Sequence, residues 1–428
     1  MEELTKYKLG EIAKIYNGST PSTLDASNYD GDIIWATPKD LSDQNSKYFS
    51  KGARNITQKG FDSCSTQMIP ANNILMSSRA PIGLFAINTV DCCTNQGFKN
   101  IVLDKAIADV DFMYYFLKYH VKEIEALGSG TTFREVSKTA FEKYEISIPS
   151  LPTQQKIASV LSKLDRKISV NRKINRNLEE LAKQIYDYWF VQFDFPNEEG
   201  KPYKSSGGKM VWNEILKRKI PADWEVKKLN ACLKHINTGL NPRDNFVLGN
   251  GTIKYITVKN LTTDGTIDFS GCDLIDENAR TIVHERSKIS KGDILFASIS
   301  PLGRCYIIQE QPEKWDINES VFSIRPNQKI ITPEYLYCYL TSEWFMKKAE
   351  KEATGSIFAG IRMAALNAMT IIVPDEKVLN RFSSLIKPIF EQKDKLFNEI
   401  QHLTKLRDEL LPLLMNGQVT LNSCLSAD

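Results

Sequence analysis

PSLPTQQKIASVLSKLDRKI, residues 149–168, lies near the middle of the 428-residue chain and opens a long apolar repeat. One series of positions returns every seven residues, at Ile157, Leu164, Asn171, Leu178 and Ile185. A second series, mostly apolar, follows four residues after each member of the first. This is a heptad pattern, which predicts a long helix with one seam buried against a partner. At ~1.5 Å per residue, a helix from Leu151 to Trp189 would be about 58 Å long.

A fainter copy of the pattern returns near the C-terminus, so the partner can be a second helix of the same chain. We expect the two helices to pair antiparallel through these seam residues: Ile157, Leu161, Leu164, Ile168, Leu178, Ile185, Phe382, Ile389, Leu396, Leu403 and Leu410. Asn171 and Asn175 fall within the seam and either set its register or face solvent where it widens. Pro388 predicts a kink, or a helix that starts there after a shorter one.

Four further blocks recur in the same order, which indicates an internal duplication. IIWATPKDL at Ile33–Leu41 matches IKYITVKNL at Ile253–Leu261, and NNILMSSRAPIG at Asn72–Gly83 matches GDILFASISPLG at Gly292–Gly303. GSGTTF matches ATGSIF, and YEISIP matches MTIIVP, at a slightly larger offset. Each copy has short β-branched runs followed by a helical stretch, so we expect an α+β protein made of two similar mixed α/β globules with approximate two-fold symmetry.

These patterns divide the chain into six segments. We expect a first globule, a central helix, an extended linker rich in Gly, Pro, Ser and charge, a second globule, a distal helix and a tail, at residues 1–150, 151–192, 193–228, 229–374, 375–418 and 419–428.

Composition places the chain among ordinary globular proteins, with 42% hydrophobic and 25% charged residues. The absence of a long apolar run and of a secretory signal predicts a cytoplasmic protein. None of the eight cysteines forms a C-x-x-C pair, which favours reduced thiols and no metal site. A net charge of +3 neither indicates nor excludes a nucleic-acid partner.

Motifs that carry chemistry are missing from the sequence. There is no phosphate-binding G-x-x-x-x-G-K-[ST] loop, no H-E-x-x-H and no G-x-S-x-G, and the four histidines are scattered. We therefore predict no catalytic residue and favour a binding or scaffolding role.

Three segments resemble the conserved regions of type I restriction–modification specificity subunits. LPTQQKIASVLSKLDRKI resembles their central conserved region, and YWFVQFDFPNEEGKPYKSSGGKMVWNEILKRKIPADWEVKKL resembles the stretch leading into their second domain. LTKLRDELLPLLMNGQV at Leu403–Val419 resembles their distal conserved end. Together the three segments cover just under a fifth of the chain.

The resemblance implies two target recognition domains, each reading one half of a split, non-palindromic DNA site, and paired helices that set the gap. It also implies docking of two methyltransferase subunits that use S-adenosylmethionine, and of nuclease/translocase subunits that use ATP and Mg. The chain itself would bind no cofactor and catalyse no reaction. Two alternatives stay open: a specificity subunit for a simpler, single-partner enzyme, and a protein scaffold that binds no DNA.

Basic and amide side chains in the loops are the candidate DNA contacts, because they match the hydrogen-bonding edges of guanine and adenine. In the first globule these are Lys39, Ser78, Arg79, Asn95, Gln96, Lys99, Thr131, Thr132 and Arg134. In the second they are Lys259, Ser298, Ser300, Arg304, Asn318, Ser356 and Arg362. Arg79, Lys39 and Lys259 are the strongest candidates.

Overall fold

A computed structural model describes residues 4–44, 46–129, 134–353 and 360–418 of the chain. The chain divides into two compact units, one formed by residues 1–168 and 402–428 and the other by residues 169–401. Each unit contains one globule together with a part of each long helix.

In unit 1 the strands β1 to β10 are Thr5–Lys8, Ala13–Asn17, Tyr29–Ile33, Trp35–Ala36, Tyr48–Phe49, Ile74–Ser77, Phe85–Asn88, Cys93–Thr94, Phe98–Leu103 and Glu145–Ile148. The helices α1 to α7 are Leu9–Ile12, Pro38–Gln44, Gln58–Asp62, Val110–Tyr119, Val121–Ala126, Lys138–Glu142 and Leu151–Tyr186, the last of which continues into unit 2.

Five strands of unit 1 form its main sheet in the order β2-β9-β6-β7-β5. All neighbours pair antiparallel except β5 and β7, and Ile74 of β6 lies opposite Ile101 of β9. Every residue of β6 is buried, because both faces of the sheet are covered. Ile74 and Met76 face a core shared with α4 and α7, whereas Leu75 faces a second core. This alternation follows from the two-residue period of a strand.

In unit 2 the strands β11 to β21 are Met210–Asn213, Arg218–Pro221, Glu225–Lys228, Leu233–Thr238, Ile253–Ile256, Asp273–Ile275, Ile294–Ala297, Cys305–Ile307, Trp315–Ile317, Val321–Pro326 and Thr370–Val373. The helices α8 to α12 are Glu277–Arg286, Pro333–Thr341, Glu343–Glu352, Met363–Ala368 and Glu376–Met415, the last of which continues into unit 1. A π-helical turn, Asp187–Val191, follows α7.

Unit 2 repeats the topology of unit 1. Its main sheet has the order β14-β20-β17-β18, all antiparallel, which corresponds to β2-β9-β6-β7. In each unit a strand just before the sheet pairs with the last strand of the globule, β1 with β10 and β13 with β21. The main helix is capped in both units, by Asp109 before α4 and by Thr332 before α9. The predicted duplication is therefore present in the fold.

The two long helices predicted from the heptads are present, and they pack against each other within each unit. In unit 2, Asn171 of α7 is bonded to Glu399 of α12, whereas Phe382 of α12 packs against Trp189, just beyond the end of α7. The pairing is therefore antiparallel. In unit 1, Ile157 of α7 lies in the same core as Leu414 of α12.

The helix α12 passes through Pro388 without interruption, so the predicted shorter helix before this proline is wrong. Pro388 is exposed, and a proline costs a helix one hydrogen bond that tertiary packing can offset.

The segment 193–228 differs from the extended linker that its composition predicted. It contains the hairpin β11–β12, and Phe193, Phe195 and Trp224 are buried in the core of unit 2. Phe195 stacks on Trp224 with ring centroids 4.9 Å apart. Glu225–Lys228 is β13, the first sheet strand of the second copy, and lies before the predicted boundary at residue 229. Burial of the aromatic rings outweighs the turn-forming composition between them.

Candidate nucleic-acid interface

Three loops of unit 1 meet where β6 ends. The amide of Ser78, directly after β6, donates to the carbonyl of Gly97 at 2.7 Å, and the amide of Val136 donates to the carbonyl of Ser78 at 3.0 Å. These bonds bring the backbone of Arg79 beside that of Glu135, where the two residues form an isolated β-bridge. Loops are the usual carriers of recognition residues on a rigid sheet, so this meeting point is the candidate site.

Two further loops join them. The amide of Asn95 donates to the carbonyl of Ala36 at 2.9 Å, next to the start of the helix that carries Lys39. The amide of Ser19 donates to the carbonyl of Thr94 at 2.9 Å. A Cβ at Gly18 would lie 2.0 Å from the carbonyl oxygen of Asn95, so only glycine permits this approach. We call residues 18–20, 38–39, 78–79, 95–97 and 134–136 the unit 1 loop cluster.

Unit 2 builds the corresponding cluster with three matching backbone hydrogen bonds. The amide of Ser298 donates to the carbonyl of Ser320 at 3.0 Å, and the amide of Ile361 donates to that of Ser298 at 2.8 Å. The amide of Asn318 donates to the carbonyl of Ile256 at 2.9 Å. A Cβ at Gly239 would lie 1.8 Å from the carbonyl oxygen of Ile317, matching Gly18. We call residues 239–241, 258–259, 298–300, 318–320 and 360–362 the unit 2 loop cluster.

The side chains on these matching frames differ. In unit 1 the hydroxyl of Thr20 donates to the side-chain oxygen of Gln96, across two loops. In unit 2 the equivalent positions carry Asn241, which donates to the carboxylate of Glu319 at 2.8 Å. The same cross-link is therefore made with a different set of donors and acceptors, and only unit 2 places a carboxylate there.

Charge differs as well. In unit 1, Glu135 accepts from Arg79 at 2.9 Å and from Lys99 at 3.0 Å. Burial alone would raise the pKa of Glu135, but hydrogen bonds from the two cations lower it. The carboxyl is therefore ionised at neutral pH. In unit 2 the positions of Arg79, Lys99 and Glu135 are occupied by uncharged residues, namely Ile299, Phe322 and Gly360.

Several of the predicted contacts are exposed in the clusters. Lys39 is exposed at the first turn of α2, and Lys259 is exposed in the turn after β15. The other exposed candidates are Arg79, Gln96, Arg134, Ser300 and Arg362. Their side chains are available to a partner, and whether they contact DNA stays a prediction.

Other candidates are not available in this way. Ser78, Ser298 and Lys99 are buried, which favours a supporting role over the DNA contact predicted for them. The hydroxyl of Ser298 donates to the carbonyl of Ser320 at 2.7 Å. Burial here follows from their place at the ends of inner strands of the sheet, where the loops close over them. A loop assignment from sequence does not show this.

The side chains of Asn95 and Asn318 support turns. Asn95 accepts from the amide of Gly97 at 2.9 Å, and Asn318 accepts from the amide of Ser320 at 3.0 Å. Arg304 donates to the carbonyl of Leu261 at 2.9 Å and is half-buried. The remaining candidates, Thr131, Thr132 and Ser356, lie outside the described residues.

Sequence reasoning missed Glu135, Thr20, Asn241 and Glu319. The last three could have been found by extending the repeat alignment, since Thr20 aligns with Asn241 and Gln96 with Glu319. Glu135 gave no such signal, because its counterpart Gly360 has no side chain and the predicted contacts are basic, amide or hydroxyl residues rather than carboxylates.

The predicted seam residues are all buried or half-buried in the helix pair. Ile157, Leu161, Ile168, Phe382 and Leu396 are buried, and the half-buried members are Leu164, Leu178, Ile185, Ile389, Leu403 and Leu410. Asn171 and Asn175 are buried too, which favours the register interpretation over a solvent-facing one. Asn171 donates to Glu399 at 2.8 Å.

Polar groups also join each globule to the helices. In unit 1, Asp165 of α7 accepts from Tyr115 of α4 and, at 2.8 Å, from Arg407 of α12. In unit 2, Glu179 of α7 accepts from Tyr337 of α9 at 2.9 Å and pairs with Lys393 of α12. Each globule is therefore tied to both helices through a carboxylate on α7.

Two kinds of site are missing from the described part of the chain. No group of three or more His, Cys, Asp or Glu side chains there could hold a metal ion. No helix of these residues combines the length and hydrophobicity that crossing a membrane requires.

Comparison with known proteins agrees with the repeated architecture. The family model described as the type I restriction modification DNA specificity domain matches twice, at residues 1–180 and 221–402. The type I restriction enzyme MjaIX specificity subunit of Methanocaldococcus jannaschii is 32% identical over 96% of this chain and 92% of its own length.

Two more similarities extend over the whole chain. The type I restriction enzyme HindI specificity subunit of Haemophilus influenzae is 22% identical, over 98% of this chain and 100% of its own length. The crystal structure of a type I restriction–modification S subunit from M. genitalium has the same fold, with a TM-score of 0.58, 18% identity and 96% coverage of both chains. With both copies matched and a relative aligned almost end to end, the chain belongs to the family of type I restriction–modification specificity subunits.

Proposed function

We propose that each loop cluster reads one half of a split DNA sequence. The chain is the DNA-recognition subunit of a type I restriction–modification system, and the clusters are the parts of it suited to this task. The observation that carries the proposal is that both clusters share three matching backbone hydrogen bonds but present different side chains. A shared frame gives both units the same approach to the duplex, and the variable side chains select the bases.

The difference between the clusters predicts a non-palindromic site. The unit 1 cluster presents Arg79, Glu135 and Gln96, whereas the unit 2 cluster presents Ile299 and Glu319 at the corresponding places. Two half-sites read by such different donors and acceptors would have different sequences. Lys39 and Lys259 occupy the same position in both units and are suited to the phosphates that every half-site shares.

The paired helices would set the spacer between the half-sites and dock the other subunits. We propose two methyltransferase subunits, which supply S-adenosylmethionine chemistry, and nuclease/translocase subunits, which use ATP and Mg. This chain would contribute recognition and assembly only. The proposal also includes a cytoplasmic location, where chromosomal DNA is available to the complex.

The test is methylome sequencing of a host that carries this gene, the gene of the methyltransferase partner, or both. A new methylated split motif that requires both genes supports the proposal and reveals both half-sites. If an active methyltransferase yields no motif that depends on this chain, the loop clusters do not read DNA and a scaffolding role takes their place. Methylation by the chain alone would also contradict the proposal.

A further inference from the structure

The ion-pair cluster of unit 1, formed by Arg79, Glu135 and Lys99, has a layered arrangement. The Lys99 side chain is only 6% exposed, that of Glu135 is 34% exposed and that of Arg79 is 49% exposed. Lys99 belongs to β9 and lies in the interior, and its ammonium also donates to the hydroxyl of Ser78 at 3.3 Å. The cluster therefore runs from a fixed ammonium in the sheet, through a carboxylate, to a guanidinium at the surface.

This arrangement orients the guanidinium of Arg79. Its Nε donates to Oε2 of Glu135 at 2.9 Å, and Lys99 holds Oε1 of the same carboxylate at 3.0 Å. Within the described residues, Nη1 and Nη2 of Arg79 have no hydrogen-bond partner. The free edge of the guanidinium is the edge that forms two parallel hydrogen bonds with O6 and N7 of guanine.

A phosphate could accept hydrogen bonds from the same edge of the guanidinium. The comparison between the two units distinguishes a phosphate contact from a guanine contact. Every half-site has phosphates, so a phosphate contact at this frame position predicts a cation in both units. Lys39 and Lys259 meet that expectation. Arg79 does not, because its counterpart is Ile299, whose β-bridge with Gly360 matches that between Arg79 and Glu135. A position that keeps its backbone but changes its chemistry between the copies is suited to base selection.

We propose that Arg79 reads a guanine in the half-site recognised by unit 1, and that Glu135 is the positioning residue that holds it. Unit 2 makes no such guanine contact from the equivalent position. This inference rests on the proposed function and goes beyond it by assigning one base to one side chain.

The test is methylation of a library of split sites by the assembled methyltransferase complex, with the half-sites randomised one base at a time. Arg79→Gln should abolish the preference for guanine at one position of one half-site, a loss of about 10-fold or more in selectivity. Selectivity in the other half-site should not change. Arg79→Lys keeps the positive charge but cannot donate two parallel hydrogen bonds to one base. Compared with Arg79→Gln, it should therefore recover overall binding without recovering the guanine preference.

Glu135→Gln tests the positioning role separately. It should weaken the guanine preference at the same position while leaving Arg79 charged, so overall affinity falls less than selectivity. The matched control is Arg54→Gln in the same unit, because Arg54 is 47% exposed and paired with the carboxylate of Asp30. This control should leave the motif unchanged.

Three outcomes would overturn the inference. If the half-site recognised by unit 1 contains no guanine, Arg79 has no guanine to contact and the inference is wrong. If Arg79→Gln reduces methylation of all sites equally and Arg79→Lys restores it, Arg79 is a phosphate contact. If Glu135→Gln unfolds the chain but Arg79→Gln leaves the motif intact, the cluster is structural. Failure of the proposed function is distinguishable from these, because the wild-type complex would then show no split motif.

Discussion

Lys393 of α12 is buried in the seam of the helix pair, and its ammonium is paired with the carboxylate of Glu179 on α7. The same ammonium donates to the carbonyl of Asp264 at 3.1 Å, and Tyr337 donates to Glu179 at 2.9 Å. Burial is the main cause that raises the pKa of Tyr337 well above its usual value, and the neighbouring carboxylate of Glu179 adds to it. The Tyr337 hydroxyl therefore stays protonated and acts as the hydrogen-bond donor. One ion pair thus joins both long helices to the globule of unit 2.

Removing one partner of this pair should destabilise the protein. Lys393→Met leaves the partly buried carboxylate of Glu179 without its cation, and the expected loss in free energy of unfolding is on the order of 3 kcal/mol. Replacing both residues with apolar ones should cost less than the single change. Urea unfolding of both variants, with the exposed Lys395→Met as control, measures this. A Lys393→Met variant as stable as the control would contradict it.

Leu161 on α7 should contribute to stability through burial alone. It is fully buried in the core of unit 1, so Leu161→Ala should cost about 2–5 kcal/mol through lost transfer energy and a cavity. Val170→Ala on the same helix is the control, because Val170 is 48% exposed and its truncation should cost little. Thermal or urea unfolding measures the stability of both variants. If Leu161→Ala and Val170→Ala lose the same free energy of unfolding, burial of Leu161 does not contribute the expected stability.

The pair Lys39 and Lys259 should act on affinity rather than on sequence choice. Because phosphates are the expected partners, Lys39→Gln and Lys259→Gln should each weaken binding to all sites alike. Each should also reduce the slope of log affinity against log salt by about 1. Titration of the assembled complex onto DNA at several salt concentrations measures both effects, with the exposed Lys105→Gln as control. A change of motif in either variant would instead make that lysine a base contact.

The length of the helix pair should determine the spacer. Four residues inserted after Arg172 in α7, matched by four after Asn398 in α12, add about 6 Å of helix while returning nearly to the same helical face. At about 3.4 Å per base pair, the preferred spacer should lengthen by about two base pairs with both half-sites unchanged. Methylome sequencing reads this directly, and four residues inserted after the exposed Glu199 provide the control. An unchanged spacer would show that the length of the helix pair does not set the distance between the half-sites.

Acid should weaken the ion-pair cluster of unit 1. Since the folded pKa of Glu135 is lower than its ordinary value of 4.5, its ionised form adds stability above that value. This contribution is lost as the pH falls through the lower folded pKa. The stability difference between wild type and Glu135→Gln should therefore shrink between pH 7 and pH 3. Thermal melting across this pH range measures the difference, and the exposed Glu125→Gln is the reference variant. A stability difference between wild type and Glu135→Gln that grows in acid would contradict the prediction.

Several features of the fold were predictable because they depend on repetition in the sequence. The seven-residue spacing from Ile157 to Ile185 predicted α7, and its faint copy from Phe382 predicted α12. Block matches such as Ile33–Leu41 with Ile253–Leu261 predicted the duplication. Periodicity and repeats can be recognised in the sequence alone, because the side chains that share a face of a helix recur at fixed intervals along the chain.

The folded segment 193–228 and the course of α12 through Pro388 were not predictable in this way. Composition indicates what a segment would do alone, whereas Phe195 and Trp224 gain their stability from a core supplied by distant parts of the chain. A proline in a long helix is likewise tolerated when the rest of the helix is held by packing.

The sequence by itself determined the two copies, the paired helices and the set of polar loop residues available for recognition. Only the tertiary structure decided which of those residues reach the surface together. Arg79 and Lys99 looked equivalent as basic loop residues, yet one is half exposed and the other is buried beneath Glu135. The physical reason is that exposure and hydrogen bonding depend on which loops close over a side chain, and the residues of this cluster are separated by 20 to 56 positions in sequence.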